Sequence, residues 1–185
     1  MEINPNLTVG ETLANFYDIN NFGEEGGIHE PFVWIKFGFF SVPIPNMESR
    51  KSIVYLHDIN HLISDNDTTW RGESAVSAWE MGAGGWYNLY TPLFLTLWAM
   101  GLGVVFYPKT VWQSFQRGLT MSNALTSGLS KTELYQLTVA ELREKLSNQP
   151  HRNRSAFAWM FISFLVFIAP FVVGVLMIFA ILQCF

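Results

Sequence analysis

Between Ala156 and Leu182 the chain runs for twenty-seven residues without a charged side chain, and every Lys, Arg, Asp and Glu lies before Ser155. No other feature constrains the fold as strongly. A bilayer core offers backbone N–H and C=O groups no partner outside their own segment, so a run of this kind reads as a membrane-spanning helix. At 1.5 Å per residue it is about 40 Å long, which exceeds a ~30 Å hydrocarbon core and calls for tilt or a kink. Pro170 supplies the kink. Folded into a hairpin, the run would leave only about thirteen residues per arm, too few to cross twice. Lys145, Arg152 and Arg154 flank its near side and nothing basic follows. The positive-inside rule then keeps residues 1–154 cytoplasmic below a single-pass C-terminal anchor.

The remaining 155 or so residues suffice for one modest domain. Only 14% of the chain is charged, too little for a disordered acidic or basic tail. A net charge of −4 and a pI near 5.5 argue against a nucleic-acid surface. The single cysteine, Cys184, excludes a disulfide framework and a Cys-rich zinc module, and its place at the end of the anchor argues against a nucleophile. Residues 1–35 hold six acids and no Lys or Arg, the reverse of a signal or transit peptide.

Residues 1–46 form an aromatic-rich N-terminal region, with turn material at Asn20-Asn21 and Glu24–Gly27, an aromatic run from Pro31 to Phe40, and an extended or turning stretch at Val42–Pro45. Ser49–Ile63 contains no Gly or Pro and spaces its apolar residues as one helix does. Ser64–Thr69 is a loop by composition, and a second helix starts near Trp70 and runs past Glu73 and Glu80. Leu93–Tyr107 is apolar but only about 22 Å long, which suits a core helix. Its Gly101 and Gly103 also suggest a groove for a lipid chain, or a face against the membrane. Ser130–Glu133 and Thr138–Glu141 both match a capping box, which predicts two short helices, the second from Val139 to Leu146. The fold class is all-α: a helical metal-binding domain over residues 47–150 and the transmembrane helix over 155–183.

The reason for expecting metal lies in the histidines. There are four, His29, His57, His61 and His151, too few for a multi-histidine di-iron membrane oxygenase. His57 and His61 are one helical turn apart and reach toward one point. Asp58 is positioned to ligate, to act as a base or to orient a histidine. Glu73 and Glu80 share a face of the next helix, whose intervening residues are uncharged. Carboxylates on such a face need a positive partner, which an ion held by His57 and His61 would provide. The expected ligands are His57, His61 and Glu73, with Asp58 as a fourth ligand or an orienting base. Glu80 lies two turns on, too far for the same ion, and is left to pair with Arg50 or shape a head-group pocket. Two histidines and one or two carboxylates suit one divalent ion, Zn or Fe, for water activation or for oxygen chemistry. Gly82-Ala83-Gly84-Gly85 lacks the strand–turn–helix context of a phosphate loop.

The order His57-Asp58-x-x-His61, eleven residues, then Glu73 resembles the signature of the coenzyme Q (ubiquinone) biosynthesis protein 4 family. Arg50, Tyr55, Gly72, Glu80 and Leu142-Arg143-Glu144-Lys145-Leu146 extend the likeness across roughly residues 47–147. The resemblance implies a metal bound by His57, Asp58, His61 and Glu73, with Asp58 and Glu80 as candidate catalytic groups. It further implies a polyprenylated quinone precursor or other isoprenoid lipid as ligand. Oxidative decarboxylation that replaces a ring carboxyl by a hydroxyl, and membership of a biosynthetic enzyme complex, complete the implied picture, with a homodimer as a possible assembly. The appended transmembrane helix and the aromatic N-terminal region depart from the family pattern. A non-catalytic lipid-presenting scaffold and a metal-dependent lipid hydrolase are the competing readings.

Overall fold

The computed structural model describes residues 3–37 and 40–183, so Gly38, Phe39 and Cys184 lie outside the described residues. The protein is 66% helical with little sheet. The elements are α1 (Val9–Asn20), β1 (Phe32–Phe37), β2 (Phe40–Pro45), α2 (Glu48–Lys51), α3 (Val54–Ser64), α4 (Trp70–Gly82), α5 (Tyr90–Phe106), α6 (Pro108–Gly118), α7 (Lys131–Gln136), α8 (Val139–Leu146) and α9 (Ala156–Leu182).

Capping chemistry sets most of the helix starts. Thr8–Glu11, Ser130–Glu133 and Thr138–Glu141 each close a capping box at the head of α1, α7 and α8. Thr69 caps α4 through the Gly72 N–H, and Ser155 caps α9 through that of Ala158. The helix expected over Ser49–Ile63 is divided. Ile53 leaves the helical region at φ −132°, ψ −7°, separating α2 from α3. The aromatic run adds a two-stranded antiparallel hairpin with Phe32 opposite Pro45 and Val33 opposite Ile44. Pro43 and Pro45 fit there because each strand of a two-stranded ribbon has a free edge.

Two apolar clusters hold the chain together. The first joins α1 (Val9, Leu13, Phe16, Tyr17) to α3, to α4 through Trp79, and to α7 and α8. α1 therefore supplies part of the core that carries the site. The second cluster joins α4, α5, α6 and the start of α9 around Met100, Val111 and Phe115.

Contacts fix the directions within this second bundle. Ser74 of α4 meets Ala99 and Gly103 of α5, while Glu80 meets Thr96, so α4 and α5 are antiparallel. Arg71 bonds Thr110 and Gly82 lies against Phe115, so α6 runs with α4. The chain entering α9 is held where α4 and α6 end: the Arg152 N–H donates to Leu119 O, and the Arg154 guanidinium to the carbonyls of Met81 and Gly84. From there α9 climbs beside α5, with Gly101 against the Ser163 carbonyl and Phe167.

That contact corrects one expectation. Gly101 and Gly103 leave no groove, because α9 fills the space at Gly101, and Ser74 and Val111 fill it at Gly103. α9 is long and apolar enough to cross a membrane, and its helix continues through Pro170.

Candidate metal centre

α3 and α4 lie antiparallel across the Asp65–Thr69 loop, which pairs His61 with Glu73 and His57 with Glu80. Asp65 adopts the left-handed conformation that ends α3 (φ 57°, ψ 46°). The returning loop presses the Asp67 backbone and carboxylate against Gly72, where a Cβ would collide with both. A small residue immediately before Glu73 is thus a packing requirement of the turn.

His57, His61 and Glu73 come together as the spacing predicts. One ligand atom from each lies within 4.8 Å of the others. His57 Nε2 is 3.2 Å from His61 Nε2. Glu73 Oε2 is 3.4 Å from the first nitrogen and Oε1 is 3.5 Å from the second. His61 is almost wholly buried, whereas the His57 and Glu73 side chains keep 27% and 28% of their exposure, so the group opens on one side.

The opposite edge of each ring explains this convergence. His61 Nδ1 donates to Asn66 O at 3.1 Å, and a carbonyl can only accept. His57 Nδ1 lies 2.9 Å from Glu80 Oε1. Glu80 is fully buried and also accepts from Asn60 Nδ2 (2.8 Å), Trp86 Nε1 (3.1 Å) and Thr96 Oγ1 (3.1 Å). With both Nδ1 atoms committed as donors, both neutral imidazoles turn an Nε2 lone pair toward the other and toward Glu73. Acceptors converging without a hydrogen between them repel, and a shared proton or a metal cation relieves that repulsion.

Electrostatics point the same way. Burial pushes the His57 imidazole down, but the Glu80 and Glu73 carboxylates outweigh it and hold the group well above its usual value. His61 is raised for the same reason, with Glu73 as the main opposing influence. Burial would push Glu73 up, yet the two histidines hold it well below the ordinary carboxylate range.

Asp58 lies outside this group. One residue past His57 it points about 100° round the helix, toward α1 and the turn before β1. There its Oδ2 and the Tyr17 ring lie against Gly26. That oxygen and the Tyr17 hydroxyl are buried beside each other. Burial pushes the Asp58 carboxyl up, with His57, His61 and Arg50 pulling the other way. Arg50 bonds Asn46 Oδ1 and Gly26 O rather than Glu80. Glu80 stands behind His57, on the side away from the converging atoms.

A cavity of about 1030 Å³ opens over the group. His57, Asp58, Glu73 and Arg50 are among its polar lining, and α5 contributes Pro92, Leu95, Thr96 and Trp98. The hairpin covers it through Phe32, Val33, Trp34 and Ile44. Sequence reasoning missed Asn60, Asn66, Trp86 and Thr96. Asn60 carried a signal, as an amide on the apolar stripe beside His61, and it is fully buried. Trp86 and Thr96 carried none, because only the tertiary fold brings them to Glu80.

No family model, curated protein or solved structure matches the chain.

Proposed function

We propose that this chain is a membrane-anchored, metal-binding protein of quinone or polyprenyl-lipid biosynthesis, acting in oxidative decarboxylation of a prenylated ring. One observation carries the reading: His57 Nε2, His61 Nε2 and the Glu73 carboxylate converge below a largely apolar cavity, with both Nδ1 atoms engaged behind. His57, His61 and Glu73 would hold one divalent ion, Zn or Fe. Three protein ligands leave further coordination positions, so the ion would polarise a substrate oxygen or take part in oxygen chemistry.

The chain's own residues have separable tasks. Glu80, itself held by Asn60, Trp86 and Thr96, orients His57. Asn66 orients His61. Asp58 and Arg50 present an acceptor and a cation to a polar ring, while the hairpin and α5 exclude water from an isoprenoid chain. The motif resemblance to coenzyme Q biosynthesis protein 4 supports the substrate class, and the length and hydropathy of α9 support the anchor. The basic flank before α9 supports a cytoplasmic side for residues 1–154.

Full-length protein purified in mild detergent, with element analysis and mass spectrometry of co-purified lipid, tests this reading. It expects near-stoichiometric divalent metal together with a prenylated aromatic. Metal without any isoprenoid would remove the substrate assignment, and iron against zinc separates oxidation from lipid hydrolysis.

A further inference from the structure

The exposed apolar surface of α9 begins on the stretch that still packs on the body. The buried residues of α9 are Ala156, Ser163 and Phe167. Beyond Ile168 the side chains are exposed, and a Cβ at Gly174 would meet nothing. On the stretch that packs on α5, Phe161, Phe164 and Leu165 face outward at 63%, 36% and 49% exposure. From Ser163 to Ile168, six residues, one face of α9 is packed on α5 while the other is exposed apolar side chain. A spanning α9 that keeps this face out of water carries its neighbours into the hydrocarbon.

Those neighbours are suited to it. α5 runs with α9, so α9 leaves the body at the C-terminal end of α5, where Val105 is 43% exposed and Phe106 63%. The same end carries one side of the cavity. An aromatic series Trp70–Trp98–Phe167–Phe171, with ring centroids 6.2, 5.2 and 5.4 Å apart, leads from two cavity-lining residues to the point where α9 emerges. Thr68, just before α4, donates to Asn20 Oδ1 and ties in the end of α1, where Ile19 and Phe22 line the cavity and stand exposed. The charges here need not be submerged. Arg71 and Lys109 are exposed on long stems that reach head groups, while Asp67 is turned into the Thr69 cap and Asp65 toward Arg143.

We propose that this end of the body is seated in the bilayer to about the depth of six α9 residues, so that the cavity opens to the acyl-chain phase. An apolar ligand then reaches the His57–His61–Glu73 group laterally from the lipid without passing through water. The proposal rests on the anchor reading of α9, and the experiment separates the two.

In a Cys184→Ser background, single cysteines replace Phe106, Ile19, Val175 or, at the opposite end just before α9, Asn153. Each full-length protein is nitroxide-labelled and reconstituted in palmitoyl-oleoyl phosphatidylcholine vesicles. Power saturation compares collisions with oxygen, concentrated in lipid, and with a nickel chelate, confined to water. Because all four positions are exposed, circular dichroism should match the parent. The expected result is oxygen-dominated relaxation at Val175, Phe106 and Ile19, with chelate-dominated relaxation at Asn153. Lipid contact at Val175 with water contact at Phe106 and Ile19 would overturn the seating and leave the anchor intact. Water contact at Val175 would overturn the anchor and the seating together.

Discussion

Glu80 decides how firmly His57 is aimed, and its value can be read by replacement. Glu80→Gln keeps the shape but turns an amide toward groups that all donate, at Asn60, Trp86 and Thr96. Loss of such an orienting partner costs about 10–100-fold in metal affinity. Zinc titration by calorimetry should find that loss in folded protein, and unchanged affinity would remove the orienting role. The titrating residues make a second prediction, for the metal-free protein. Glu80, Glu73 and their neighbours raise His57 and His61 above the ordinary value of about 6.5 despite burial. The stability this contributes is full below that value and is lost as pH rises through the raised values. Glu73 works in the other sense: held below 4.5, it contributes above that pH and loses its contribution on acidification. Metal-free protein should therefore unfold at its highest temperature between about pH 4.5 and 6.5 and soften toward pH 8. Zinc, which needs unprotonated imidazole, should restore the loss at pH 8 and have little effect at pH 5. A melting temperature of the metal-free protein that climbs from pH 6 to pH 8 would contradict the assignment.

At the scale of the element, the α5–α9 contact is the joint on which the anchor depends. A side chain at Gly101 would strike the Ser163 carbonyl and Phe167. Gly101→Leu should destabilise the body by at least about 1–3 kcal/mol, the usual cost of overpacking, and reduce metal and lipid content together. Selective loss of lipid with metal and melting temperature unchanged would instead favour the groove first read into this helix. The elements differ in how much their sequences disclose. α8 and α9 were legible to the residue, because a capping box and an uninterrupted apolar run are local signals. So was the start of α4, which follows a Ser/Asp/Asn/Thr loop. The division of α2 from α3 was not, because no Gly, Pro or capping side chain marks the break at Ile53. The hairpin was hidden as well, its prolines and run of aromatics masking the alternation that marks a strand.

Across the whole molecule, the site is an assembly of α3 and α4 supported from three further directions. α1 packs Phe16 against His61 at 5.7 Å between ring centroids, α5 supplies Thr96, and the hairpin closes the cavity. That His57 and His61 share a face could be read from spacing, since a helix returns every fourth residue to one face, and Glu73 could be brought beside them by the loop that turns α4 back. The side chains that aim them could not be read, because Trp86, Thr96 and Asn66 reach the site through the fold. Asp58 shows the limit of reading by proximity in sequence: adjacency to His57 sends it to another face, against Gly26 and Tyr17. The metal-centre proposal puts one divalent ion among His57, His61 and Glu73. The direct test is element analysis of full-length protein in mild detergent, beside His61→Ala and Glu73→Gln variants whose circular dichroism matches the parent. About one equivalent of zinc or iron is expected in the parent, with most of it lost in each variant. Equal metal content in all three, or no metal taken up by the parent at pH 8, would contradict the proposal.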